Sequence, residues 1–142
     1  MTKAVFVDTA YLVALTNSSD RHHTEAKSFA QTWGTQKREF ITTDAVLVEY
    51  ANFFARSPLR SLAAMTLGRL RAAPGWTIVG LDRSLLARAE ARYTRHADKS
   101  WSLTDCVSME VMKEAALREV ATTDVHFSQA GFRPLLGREL TR

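Results

Sequence analysis

The sequence predicts an α/β fold: a parallel five-stranded sheet with helices on both faces, built as one domain over residues 1–142. Two observations carry the prediction. Short apolar runs alternate along the chain with longer segments of helical period, the pattern of a parallel sheet covered on both sides. Two of those runs, at residues 4–7 and 120–123, lead straight into a carboxylate and then a helix-forming segment. No repeat, low-complexity segment or linker divides the 142 residues, a length that buries a sizeable core without cross-links.

The elements follow in order. Residues 4–7 form the first strand, and Asp8 ends it. Residues 9–17 are apolar nearly all round, so they read as a buried helix. Asp20 has the chemistry of an N-cap for a helix with Ala26, Phe29, Ala30 and Trp33 at helical spacing and Gly34 closing it. Residues 39–42 make a second strand, and Thr43 or Asp44 caps a helix to about Arg56. Ser57-Pro58 restarts a helix that carries Leu59, Leu62, Ala63 and Leu70 and stops at Pro74-Gly75.

Residues 76–79 are the third strand, and Asp82 caps a helix bearing Leu85, Leu86, Ala89 and Tyr93. A polar loop at 96–100 precedes Ser102, which opens a helix through about Leu117. Residues 118–122 form the fourth strand, a short turn or helix follows Asp124, and residues 132–135 form the fifth strand. Pro134 cannot donate to a ladder, which assigns that last strand to a sheet edge.

Composition narrows the class. With 46% hydrophobic and 24% charged residues, the chain has the make-up of an ordinary soluble protein, and no apolar run approaches a membrane span of about 20 residues. The single cysteine, Cys106, excludes an internal disulfide framework and a zinc cluster and fits a reducing cytoplasm. The N-terminus, a strand-like run with an early acid, lacks a signal-peptide pattern. A net charge of +4 and a pI near 9.6 suit a polyanionic partner.

Four carboxylates stand out by context. Asp8 and Asp124 fall at strand ends, where open parallel sheets put ligands, though each also suits a helix N-cap. Glu49 interrupts an otherwise apolar helix, with Val46 and Phe53 on its own face. A charge there is costly unless it is paired, hydrogen-bonded or metal-bound; the alternative is a surface Glu extended to solvent. Asp105 closes Ser102-Leu103-Thr104-Asp105, which is also a capping-box pattern. Right-handed crossovers can bring all four to one mouth. Like charges so gathered repel, and a divalent cation such as Mg²⁺ or Mn²⁺ is the usual remedy.

The segments FVDTAYLVAL, TTDAVLVEYANFF, SLTDCVSMEVM and VATTDVHF resemble the PIN-domain ribonucleases, most closely their VapC-like toxin branch, in the right order and spacing over nearly the whole chain. Carried over residue by residue, the family's first Asp falls on Asp8, its helical Glu on Glu49, and its late acids on Asp105 and Asp124; none is replaced. Asp98 is an extra acid not counted as a ligand. The resemblance implies Mg²⁺- or Mn²⁺-dependent endonucleolytic cleavage of structured RNA such as tRNA or rRNA, with a small antitoxin protein as partner. In that reading Asp8 and Asp105 hold the metal, Asp124 shares it or orders its waters, and Glu49 binds directly or positions the attacking water. Thr9 and Thr123 flank the acids as hydrogen-bond donors to them, if they are not simply helix caps.

Other residues carry further expectations. Arg88, Arg92 and Arg95 share a helix face and either contact RNA phosphates or form a solvated face. His126 reaches a scissile phosphate or is structural, Trp101 stacks a base or edges the core, and His22 and His23 are exposed. Segment 45–70 carries Val46, Leu47, Val48, Tyr50, Phe53, Phe54, Leu59, Leu62, Met65 and Leu67, more apolar surface than one core-facing stripe needs, which predicts a homodimer. The rival class is a catalytically inactive PIN-like module that binds RNA or regulates. A phosphoacceptor receiver domain would need an acid ending strand three, where Gly80-Leu81 stands instead. No phosphate-cradling Gly-rich loop is present.

Overall fold

The chain threads five strands in the order β3-β2-β1-β4-β5, all parallel, and this order decides where a ligand can sit. The computed structural model describes residues 4–137. Its elements are β1 (Val5–Val7), α1 (Thr9–Thr16), α2 (His23–Gln36), β2 (Phe40–Thr43), α3 (Asp44–Phe53) and α4 (Arg60–Ala72). These are followed by β3 (Trp76–Val79), α5 (Arg83–Arg95), α6 (Leu103–Glu114), β4 (Glu119–Ala121), α7 (Val125–Gln129) and β5 (Arg133–Pro134). From β1 the chain steps one way to β2 and β3, then returns across the sheet to β4 on the other side of β1. Right-handed crossovers therefore put helices on both faces. The order in which strands are added reverses between β1 and β4, and such a switch point opens a crevice at the strands' carboxyl ends.

β1 is apolar at every position because it is covered on both faces: Val5, Phe6 and Val7 have no exposed surface. Phe6 pairs with Ile41 on one side and Val120 on the other. Around it pack Leu12, Tyr50, Val107, Met109 and Phe127, each 1% exposed or less. Tyr50 also satisfies its hydroxyl, 2.7 Å from Thr16 Oγ1. β5 is an edge, as Pro134 requires, and is held by Arg133 N–H to Arg118 O (2.8 Å) and Leu135 N–H to Val120 O (3.0 Å). No helix among the described residues is long and apolar enough to cross a membrane.

Several element ends differ from the sequence expectation. α2 begins after His22 rather than at Asp20, whose side chain is spent on a local turn, accepting His22 N–H at 2.8 Å. It also runs through Gly34 to Gln36, and Lys37 takes the left-handed closing position (φ 53°). Gly34 meets nothing within 4 Å where a Cβ would be, so it is an ordinary helical residue. α4 starts at Arg60, two residues past Pro58, because Ser57 Oγ accepts Leu59 N–H and forms a turn first. α6 ends at Glu114, where Ala116 turns left-handed (φ 56°) and Leu117 N–H closes back on Met112 O (2.9 Å).

Candidate active site

Asp8 leaves β1 at the switch point and is 4% exposed. Its N–H still bonds across to Ala121 O (3.2 Å), so β1 and β4 fix its backbone. It does not cap α1 through its side chain. Burial pushes its pKa from the ordinary 3.8 to about 7, against the lowering effect of hydrogen bonds from the Thr122 hydroxyl and the Thr9 N–H. The charges of Asp105 and Glu49 push it further the same way, which places both acids within electrostatic reach.

Asp105 caps α6 and also lines the cleft with the other acids. Ser102 Oγ accepts Asp105 N–H and Asp105 Oδ2 accepts Ser102 N–H, each at 3.0 Å, a complete capping box. The same Oδ2 lies 3.0 Å from His126 Nδ1. Asp124 caps α7 by accepting His126 N–H (2.9 Å), and its Oδ1 lies 3.2 Å from His126 Nδ1. The imidazole is thus held between two acids. One ligand atom from each of Asp105, Asp124 and His126 lies within 4.8 Å of the others.

A cleft of about 440 Å³ is lined by Asp8, Glu49, Asp105 and Asp124 together, with Thr9, Thr123 and His126. Glu49 is half-buried, between buried Val46 and Phe53, which is 60% exposed and lines the same cleft. Asp98 is elsewhere, beside Lys99 at 3.4 Å.

Some residues act differently from expectation. The hydroxyl on Asp8 belongs to Thr122: its Oγ1 donates to Asp8 Oδ2 (2.8 Å) and accepts Asp124 N–H (3.1 Å), stitching the two strand-end acids together. Thr123 makes no such bond among the described residues, and Thr9 holds Asp8 through its N–H while its buried Oγ1 has no partner. The clue to Thr122 was present, since a hydroxyl two residues before an acid commonly bonds the i+2 N–H. Asp20 and His22 also line the cleft, with no local sequence pattern that places them there. His22 and His23 are half-buried rather than exposed; His23 Nδ1 lies 2.7 Å from Ala14 O.

Arg92 Nε donates to Glu110 Oε2 (2.6 Å), and Arg88 NH2 donates to Glu114 Oε2 (3.0 Å), so both clamp α5 to α6. Arg95 is exposed and has no acid partner among the described residues. Trp101 is 6% exposed and donates Nε1–H to Gln129 (3.0 Å), which makes it a core-edge residue. Cys106 is fully buried, and burial raises its thiol pKa, so it is no nucleophile.

The donor set fits a hard divalent cation. It offers carboxylate oxygens that repel one another, a buried acid whose charge desolvation disfavours, and an orphaned hydroxyl on Thr9. Comparison with known proteins gives the family. The chain is 27% identical over 128 residues to the 23S rRNA-specific endonuclease VapC20 of Mycobacterium tuberculosis, from strains CDC 1551 and H37Rv, spanning 90% of this chain and 95% of that protein. The crystal structure of M. tuberculosis VapC20, described as a sarcin-ricin loop cleaving toxin, superposes with a TM-score of 0.81 at 26% identity, covering 92% of this chain and 98% of that one. FitAcB from Neisseria gonorrhoeae shares the fold, with a TM-score of 0.64 at 15% identity, over 92% of this chain and 96% of that one. A family model described as PIN domain matches residues 5–133, the stretch that carries all four acids, and the chain belongs to that family.

Proposed function

We propose that this protein is a Mg²⁺- or Mn²⁺-dependent endoribonuclease, the toxin of a toxin–antitoxin pair, acting on structured RNA in the cytoplasm. The observation that carries the reading is the convergence of Asp8, Glu49, Asp105 and Asp124 on one cleft at the switch point of the sheet. Asp8, Asp105 and Asp124 would hold the cation, with His126 at its border. When bound, such an ion lowers the pKa of water and offsets charge on the attacking and leaving oxygens of a phosphodiester. Thr122 keeps the Asp8 carboxylate aimed, and the Ser102 capping box does the same for Asp105. Glu49, half-buried at the rim, orients the attacking water and accepts its proton. Of Arg88, Arg92 and Arg95, Arg95 is the one left to meet a phosphate.

Ribosomal RNA is the first substrate to try, because the relative matched over most of its length is named for 23S rRNA. The antitoxin partner rests on the likeness to a protein described as a toxin. A homodimer through α3 and α4 is supported by exposed Val48, Phe53, Leu62 and Met65; a monomer near 15.9 kDa by light scattering at micromolar concentration would refute it.

Labelled ribosomal RNA incubated with Mn²⁺, or with chelator, tests the nuclease. Cleavage should need the metal, and Asp8→Asn or Asp105→Asn should lower it by about 10²–10³-fold or more while the protein stays folded. Full activity in chelator or in either variant would sink the metal mechanism. Metal-independent RNA binding without cleavage would favour the inactive binding module.

A further inference from the structure

Beside the acid cleft lies a larger one of about 710 Å³, and His22 and Thr123 line both. The two are chemically opposite. Asp8, Asp20, Glu49, Asp105 and Asp124 border the first. No carboxylate among the described residues borders the second, which is ringed by Arg21, Arg118 and Arg133. Arg21 and Arg118 have no ion-pair partner among the described residues. Arg133 comes no nearer than 4.0 Å to Glu119 Oε2, and Arg38 holds the other oxygen of that acid at 2.9 Å. Three guanidiniums around one cavity repel each other, and nothing in the fold requires them to gather there.

The β4–α7 turn is the wall between the clefts. Asp124 lines only the acid side, Val125 lines only the basic side, and Thr123 lines both. Arg118 precedes β4 and Thr123 follows it, so at about 3.3 Å per residue the basic groove extends roughly 16 Å from the acid mouth. Phe132 contributes an aromatic ring to its lining. A positive track with an aromatic platform is what a single-stranded nucleic acid uses: phosphates on the cations, a base on the ring.

We propose that this groove seats the RNA strand on one side of the scissile bond, with Arg118 and Arg133 on its phosphates and Phe132 under a base. The assignment rests on the nuclease reading above and adds to it the track that feeds the cleft. An acidic protein segment is the other polyanion to weigh. Continued past Thr123, its carboxylates would run into those of the acid cleft, whereas a phosphodiester is the group that cleft is built to receive.

The test uses full-length protein carrying Asp8→Asn, to block cleavage, and a fluorescent mixed-sequence RNA of about 12 nucleotides, within the site sizes of single-strand binders. Anisotropy is read across a salt series in Mg²⁺. Arg118→Gln with Arg133→Gln should weaken binding at least about tenfold and flatten the dependence of log Kd on log salt by about 1.4, roughly 0.7 per lost phosphate contact. Arg69→Gln with Arg71→Gln on α4, an equal loss of charge away from the groove, should leave that slope unchanged. Arg118→Lys with Arg133→Lys should restore it, and this variant decides the matter if the Gln pair melts early.

Equal effects of the two Gln pairs, or no effect of either, overturns the proposal. So does loss of polyglutamate binding with RNA binding intact, which would assign the groove to an acidic protein segment. With Asp8 restored, the groove variants should raise KM for RNA and leave kcat nearly unchanged. If the wild type cuts RNA and KM does not move, the groove fails and the nuclease stands. If the wild type cuts nothing and the salt slope still falls, the nuclease fails and the groove stands.

Discussion

Two regions of this molecule bury carboxylates to the same depth and treat them oppositely. On the α5–α6 seam the Glu110 side chain is 11% exposed, and at the mouth the Asp105 side chain is 10% exposed. Each oxygen of Glu110 faces a guanidinium, Arg92 at 2.6 Å and Arg88 at 3.9 Å. At the mouth, Asp105 and Asp124 share one imidazole, and Asp8 has only hydroxyl and amide donors. A buried acid matched by a cation belongs to the scaffold, and removing the cation is destabilising. Asp8, buried without a cation partner among the described residues, is held at a cost to stability. Removal of one charge should therefore have opposite signs in the two regions.

The largest effect should come from Asp8→Asn in chelator. The native pKa of about 7 lies above the unfolded value of 3.8, so the proton is held more tightly in the folded state. Below pH ~4 both states are protonated and there is no penalty. Stability is lost as pH rises from about 4 to 7, and above 7 the penalty is full, on the order of 4 kcal/mol for about three units. The amide has no proton to lose and would remove this dependence, so chemical denaturation should find the variant more stable than wild type at pH 8 and nearly equal at pH 4. A variant less stable than wild type at pH 8 would remove the contrast between the two regions.

The opposite sign is expected on the seam, and it should be smaller. Arg92→Met leaves Glu110 buried beside a lost partner, costing about 2 kcal/mol after a discount for the solvent the pair still sees. Arg92→Met combined with Glu110→Met should recover most of that loss. Failure to recover it would mean that packing, and not charge matching, holds α5 to α6.

The smallest effect sharpens the picture at Asp8. Thr122→Val removes the hydroxyl that donates to the carboxylate and accepts Asp124 N–H. It should cost about 1 kcal/mol. More tellingly, it should move the upper end of the pH dependence above 7, because that hydrogen bond favours the ionised form. An unmoved profile would show that desolvation alone sets the Asp8 proton.

The positions of the four acids were legible because each depends on local pattern: a strand end, a helical face, a cap. Asp8 and Asp124 sit where apolar runs stop, and a parallel sheet brings strand ends together. What was illegible depends on contacts between distant elements. The arginine stripe on α5 was visible as periodicity, but its partners Glu110 and Glu114 lie 18 and 26 residues away on another helix. Asp20 and His22 reach the cleft only through the path of the α1–α2 turn, which packing decides. Thr122 rather than Thr123 holds the acids because its hydroxyl has the i, i+2 geometry that reaches Asp124 N–H, which adjacency in sequence does not reveal.

The pairing of β1 with β4 sets a timetable. Val7 registers with Ala121, and the Thr122–Asp8 hydrogen bond closes over 114 residues. Contacts so far apart form late, since the chain between them must first be ordered. During synthesis, β1 becomes the centre of the sheet but waits for its second neighbour until the ribosome has released residue 121. Asp105 and Asp124 cannot join Asp8 before then. A growing chain therefore carries an unassembled cleft until the segment from Asp105 to Asp124 has left the ribosome.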